Sequence, residues 1–93
     1  MATHDLSGEA QQAVASVASS DGRRQVLSYL SQHGPARANK IIDGVDVSNT
    51  TVHRVLSVLQ DIGCVETLGD KETWRVYAVT DLGETVFRVV GDE

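Results

Sequence analysis

The chain has 93 residues, 41% of them hydrophobic, with 13 acidic against 8 basic side chains and a formal net charge of −5. That length fits one small domain with a single core and leaves no room for an enzyme-sized cleft with a lid, and the acidic balance points, at first reading, away from a nucleic-acid binder. Cys64 is the only cysteine, which excludes an internal disulfide and a cysteine-based zinc cluster.

Along the chain, Ser7 is placed to cap a first helix in which Ala10, Ala13, Val14, Val17 and Ala18 follow helical spacing and give a narrow apolar face. Ser19-Ser20-Asp21-Gly22 breaks the pattern, and either Ser20 or Asp21 can cap a second helix with Val26, Leu27 and Leu30 inside and Tyr29 at its edge. Gly34-Pro35 ends that helix. A short third helix is expected from Ala36 to Gly44, with Ala38, Ile41, Ile42 and Val45 apolar. The connector Gly44-Val45-Asp46-Val47 is too tight for its two helices to lie antiparallel, which is the layout of a helix-turn-helix.

The fourth helix, about 49–62, sorts its residues onto two chemically different faces. Val52, Val55, Leu56, Leu59 and Ile62 form an apolar stripe, while Asn49, Thr50, His53, Arg54 and Ser57 fall on the other side. Ser48 is the natural N-cap and Gly63 the natural stop. The polar face carries amide, hydroxyl, imidazole and guanidinium groups and no carboxylate until Asp61, a composition suited to base edges and phosphates of DNA.

Past Gly63 the period changes. Cys64–Leu68 and Thr73–Val79 are rich in β-branched and aromatic residues and flank Gly69-Asp70-Lys71-Glu72, so residues 64–79 read as a hairpin. Asp81 and Glu84 have capping-box spacing at the start of a last helix, whose buried face is expected from Leu82, Val86, Phe87 and Val90. The fold class expected is α+β: a three-helix core with a β-hairpin wing, plus N-terminal and C-terminal helices. No repeat, low-complexity tract or interdomain linker interrupts it.

The run from Asp21 to Val90, about three-quarters of the chain, resembles the winged helix-turn-helix transcription regulators of the arsenic-repressor and antibiotic-resistance-repressor types. Four pieces carry the likeness: Asp21-Gly22-Arg23-Arg24-Gln25-Val26-Leu27, Val47-Ser48-Asn49-Thr50-Thr51-Val52, Leu56-x-x-Leu59-x-x-Ile62-Gly63-Cys64-Val65, and Tyr77-Ala78-Val79-Thr80-Asp81-Leu82-Gly83. The resemblance implies a sequence-specific double-stranded DNA-binding regulator, with residues 21–90 as the DNA-binding domain and residues 1–20 as a helix that can serve as a dimerisation arm. In such proteins the recognition helix enters the major groove with its N-terminal residues at base edges, and the wing reaches the flanking backbone or minor groove.

Carried onto this sequence, Asn49, Thr50, His53 and Arg54 become base-contact candidates. Asn49 can pair with adenine N6/N7, Thr50 can touch a thymine methyl, and Arg54 can pair with guanine O6/N7. Ser48 and Thr51 are expected at phosphate or as caps, Ser57 farther along the same face, Lys71 and Arg75 in the wing, and Arg37 and Lys40 at the start of the preceding helix, where phosphate can approach. A Gly69-Asp70-Lys71-Glu72 wing is shorter and more acidic than a strong DNA-binding wing.

The charge distribution softens the objection raised by its sum. Lys40 and Lys71 are the only lysines, and Arg37, Lys40, Arg54, Lys71 and Arg75 all lie in or near the segments assigned to DNA contact. A carboxylate-rich, lysine-poor composition is similar to that of proteins from extremely halophilic archaea, which implies a salty cytoplasm. No apolar run reaches membrane-spanning length and the N-terminus has neither a basic segment nor a hydrophobic signal core, so a cytoplasmic protein is expected.

The Ala/Val face of the first helix and the Val86-Phe87-Val90 face of the last have no evident partner within the winged core. Regulators of this type commonly dimerise through terminal helices, so a homodimer is expected, the alternative being that both helices pack over the back of their own subunit. His4, His33, His53 and Cys64 lack the paired spacing of a metal sensor, and no Gly-rich phosphate loop, Ser/His/Asp arrangement or inward carboxylate pair points to catalysis. The chain is therefore read as a non-enzyme without cofactor. The rival reading is a winged-helix protein-interaction module that binds no DNA, anchored by Trp74 and Val76 on the outer face of the hairpin.

Overall fold

A computed structural model describes residues 8–69 and 75–91. The elements run α1 (Gly8–Ala18), α2 (Asp21–His33), α3 (Ala38–Gly44), α4 (Asn49–Asp61), β1 (Val65–Leu68), β2 (Val76–Val79) and α5 (Asp81–Gly91). This is the expected α+β winged-helix order. Ser7, the expected cap of α1, lies outside the described residues.

The helix signals act where the chemistry places them. Ser20 is the N-cap of α2, its hydroxyl accepting the Arg23 N–H at 3.3 Å. Ser48 caps α4 in the same way, accepting the Thr51 N–H at 3.2 Å. Gly63 has φ 83°, the left-handed conformation that lets the chain turn sharply out of α4 into β1.

Three boundaries differ from the sequence reading. First, α3 begins at Ala38 rather than Ala36, because Ala36 is drawn into the sheet. Its N–H donates to the Tyr77 carbonyl at 3.0 Å and its carbonyl accepts the Tyr77 N–H at 2.8 Å. An extended Ala36 cannot also be helical, and Arg37 becomes the N-cap. Second, the paired strands are shorter than the apolar runs, with Val65 opposite Val79 and Leu68 opposite Val76. Third, the cap of α5 is Thr80, not Asp81. The Thr80 hydroxyl accepts the Gly83 N–H at 3.0 Å and donates to the Gly63 carbonyl at 2.6 Å, so it serves a helix start and a helix end together. Glu84 is left free of the capping box and instead accepts a bond from the Ser31 hydroxyl.

The core is one cluster drawn from every helix and both strands, with Val17, Val26, Leu27, Ile41, Val52, Leu56, Leu59, Cys64 and Val86 almost wholly buried. No buried polar or charged residue interrupts it among the described residues. α1 packs on both α5 and α2, and α2 packs on α4 and β2. The α1 and α5 faces that lacked a partner in the sequence thus find each other within one chain. Ala18, expected on the apolar face, is exposed instead. It is the last residue of α1, and its carbonyl accepts a bond from the Arg24 guanidinium at 2.7 Å.

Candidate nucleic-acid interface

α4 is held by its apolar side and presents its polar side. Val52, Val55, Leu56 and Leu59 are buried, while Asn49, Thr50, His53, Arg54 and Ser57 are all exposed. Thirteen residues make a rod about 20 Å long, long enough to lie in a major groove. From Ser48 to Gln60 the helix carries no carboxylate; Asp61 stands at its far end, and Asp43 and Asp46 stand exposed before its start.

Ser48 and Thr51 already use their hydroxyls locally. Besides accepting the Thr51 N–H, the Ser48 hydroxyl donates to the Thr51 Oγ1 at 2.9 Å. Thr51 is half-buried, with its methyl turned toward Gly22 at the start of α2. These two residues therefore set the geometry of the helix start. Asn49 and Thr50 beside them face outward with side chains open to a ligand.

Arg37 and Lys40 are exposed at the beginning of α3, which packs against α4, and the Arg37 carbonyl accepts the N–H groups of Lys40 and Ile41. Arg75 is exposed just before β2. Among the described residues, no ion pair engages Lys40, Arg54 or Arg75. Other basic residues are spent internally: Arg23 donates to the carbonyl and the hydroxyl of Ser16, and Arg24 pairs with Asp21 at 3.2 Å. Lys71 and Trp74, the expected wing cation and the expected anchor of the rival reading, lie outside the described residues. Val76 is half-buried, and its partner Leu68 is 44% exposed at the end of β1.

Cys64 is buried where α4 turns into β1, and burial pushes its thiol up to about 11. It is a small core residue, and among the described residues no cation lowers its pKa. No group of His, Cys, Asp and Glu suited to a metal ion forms among the described residues, and no described helix is long and apolar enough to cross a membrane.

Residues 11–92 match the family described as HVO_A0261 N-terminal domain. The chain belongs to that family. Two solved structures share the fold of this HVO_A0261-type domain. One is a MarR family transcription regulator, SP03579, with a TM-score of 0.75 and 17% identity over 97% of this chain and 61% of that one. The other is a MarR family protein from Bacillus stearothermophilus, with a TM-score of 0.70 and 14% identity over 89% of this chain and 61% of that one. The domain therefore spans about three-fifths of the length of either structure. No curated protein is matched by its sequence. The resemblance to antibiotic-resistance-repressor-type regulators holds at the level of the fold.

Sequence reasoning missed two residues that bear on the interface. Gln25 accepts the Asp46 N–H at 2.8 Å, across the turn between α3 and α4. Thr80 ties the end of α4 to the start of α5. Only the Thr80-Asp81 pair offered a signal, since either residue is a good cap. Nothing in the sequence distinguishes Gln25 from any other glutamine on a helix surface.

Proposed function

We propose that this domain is a sequence-specific double-stranded DNA-binding transcriptional regulator that works as a cytoplasmic homodimer in a salty cell. The observation that carries the reading is the exposed, carboxylate-free face of α4 on a helix whose opposite face is fully committed to the core. Asn49, Thr50, His53 and Arg54 read base edges in the major groove. Ser48, Thr51, Ser57, Arg37 and Lys40 meet phosphate along its rim, and Lys71 and Arg75 reach the backbone from the hairpin 64–79.

Residues 21–90 form the DNA-binding unit, and α1 joins α5 in the dimer contact. Phe87, Val90 and Val14, only half-buried after α1 and α5 have packed together, supply its apolar surface. Two-fold symmetry would set the recognition helices about 34 Å apart, one turn of DNA.

Selection of bound sequences from random duplex DNA in concentrated potassium chloride tests the reading, and a symmetric enriched site is expected. Asn49→Ala with Arg54→Ala should reduce affinity for the selected duplex by about 100-fold while the thermal transition stays in place, since each base contact is worth roughly 1 to 3 kcal/mol. No enrichment, or a double variant that binds like the wild type, contradicts it.

A further inference from the structure

The turn that aims α4 is tethered to α2 from outside the helix-turn-helix itself. Of residues 45–47, Val45 donates its N–H back to Ile41 within the end of α3, and Asp46 donates to the Gln25 Oε1 at 2.8 Å. No other hydrogen bond joins residues 45–47 to a different element among the described residues. Gln25 is itself held, because its Nε2 donates to the Asp21 carboxylate at 2.8 Å and that carboxylate is braced by Arg24. One helical turn farther along, the Tyr29 ring lies so close over Gly44 that a Cβ there would collide with it. Asp21, Gln25 and Tyr29 thus form a row at i, i+4 and i+8 along the turn. The groove of about 370 Å³ beside this row is walled by Tyr29, His33, Gly44 and Val45, with the His33 ring against that of Tyr29, and its other lining side chains are Arg24, Gln25, Ser28 and Gln32. Arg24, Gln25, Ser28 and Gln32 already bond to one another or to neighbouring backbone and carboxylate groups, so the row reads as a brace.

We propose that Gln25 is a positioning residue for recognition: its bond to the Asp46 N–H fixes the angle at which α4 meets a duplex. This inference rests on the proposed DNA-binding reading. Arg54 lies five residues beyond Asn49, about 7.5 Å along the axis, so a tilt of about 10° at the turn moves it by about 1 Å, more than a base-edge hydrogen bond tolerates. Phosphate contacts, made by long flexible side chains, absorb such a shift. Gln25 therefore governs discrimination between sequences more than it governs attraction to DNA.

The test uses the full chain, a duplex recovered from random-sequence selection and a shuffled duplex of the same composition. Gln25→Met, which keeps the size and removes both bonds, should lose about fivefold in affinity for the selected duplex, the equivalent of one ordinary hydrogen bond. Its affinity for the shuffled duplex should stay unchanged, its thermal transition should fall by no more than the few degrees that lost intramolecular bonds are worth, and the Asp46 amide should exchange with solvent faster. Gln25→Glu keeps an acceptor oxygen for the Asp46 N–H, and combined with Asp21→Asn, which removes the carboxylate it would otherwise face at contact distance, it should restore both discrimination and Asp46 protection. Gln25→Met with wild-type discrimination, an equal loss on both duplexes, or a double variant no better than the Met variant overturns the proposal. Failure of the wild type to bind either duplex overturns the DNA-binding reading itself, and this inference with it.

Discussion

At the residue scale, the side chains that matter are distinguished by whether their polar groups are already used. Ser48 and Thr51 bond each other, Arg23 and Arg24 secure the end of α1, and Asp21 accepts from Gln25 and Arg24, bonds that hold its carboxyl below the usual range. Asn49, His53 and Arg54 remain outward on the same surface. Cys64 makes a complementary prediction. Its thiol is favoured neutral in the folded state, so its contribution to stability is complete below the ordinary cysteine range and fades as pH rises through about 11. Alkylation at pH 8 should be slow in the native protein and fast in denaturant, and a fast native reaction would show that the thiol is not enclosed.

At the element scale, Thr80 joins the end of α4 to α5. Thr80→Val keeps the shape of the side chain but removes both the α5 cap and the bond to the Gly63 carbonyl. A loss of about 1 to 3 kcal/mol in unfolding free energy is expected from a missing cap plus an orphaned carbonyl; Thr80→Ser should recover most of it. Denaturant unfolding of the three proteins checks this, and a valine variant as stable as the wild type refutes it.

The helices and their caps were legible because Val52, Val55, Leu56 and Leu59, or Val26, Leu27 and Leu30, repeat at a spacing only one periodicity explains, and Ser20, Ser48 and Gly63 punctuate them. The extended Ala36 was not legible, since a single bridge to Tyr77 leaves no pattern in sequence. The choice of Thr80 over Asp81 was decided by the distant Gly63 carbonyl, and the partner of Gln25 is a backbone N–H 21 residues away. Exposure of the α4 face was readable; the tether from Gln25 to the turn before it was not.

At the scale of the whole molecule, the proposed function sets an acidic protein with a formal charge of −5 against a polyanion. If all five basic residues assigned to the interface neutralised phosphate, log affinity would fall with log salt at a slope of about −4 to −5. In the salty cell we propose, that mechanism supplies little driving force, and the proposed binding would rest on base contacts, shape fit and cations bridging exposed carboxylates such as Asp43 and Asp46 to the duplex. The expected dependence on potassium chloride is therefore much shallower than the charge count, or reversed. A titration of labelled selected duplex from low to near-saturating salt measures it, and a steep loss across that range contradicts it. The dimer is tested at this scale too: sedimentation at micromolar concentration should give the mass of two chains, and a mass of one would remove the proposed symmetric site.

The most direct measurement of the central claim is an amide chemical-shift map of the protein titrated with the selected duplex in molar potassium chloride. The account predicts that the largest changes fall on Ser48–Ser57 and on Arg37–Lys40, with α1 and the exposed side of α5 undisturbed. Changes centred on Leu68 and Val76, or on Phe87 and Val90, with α4 silent would contradict it.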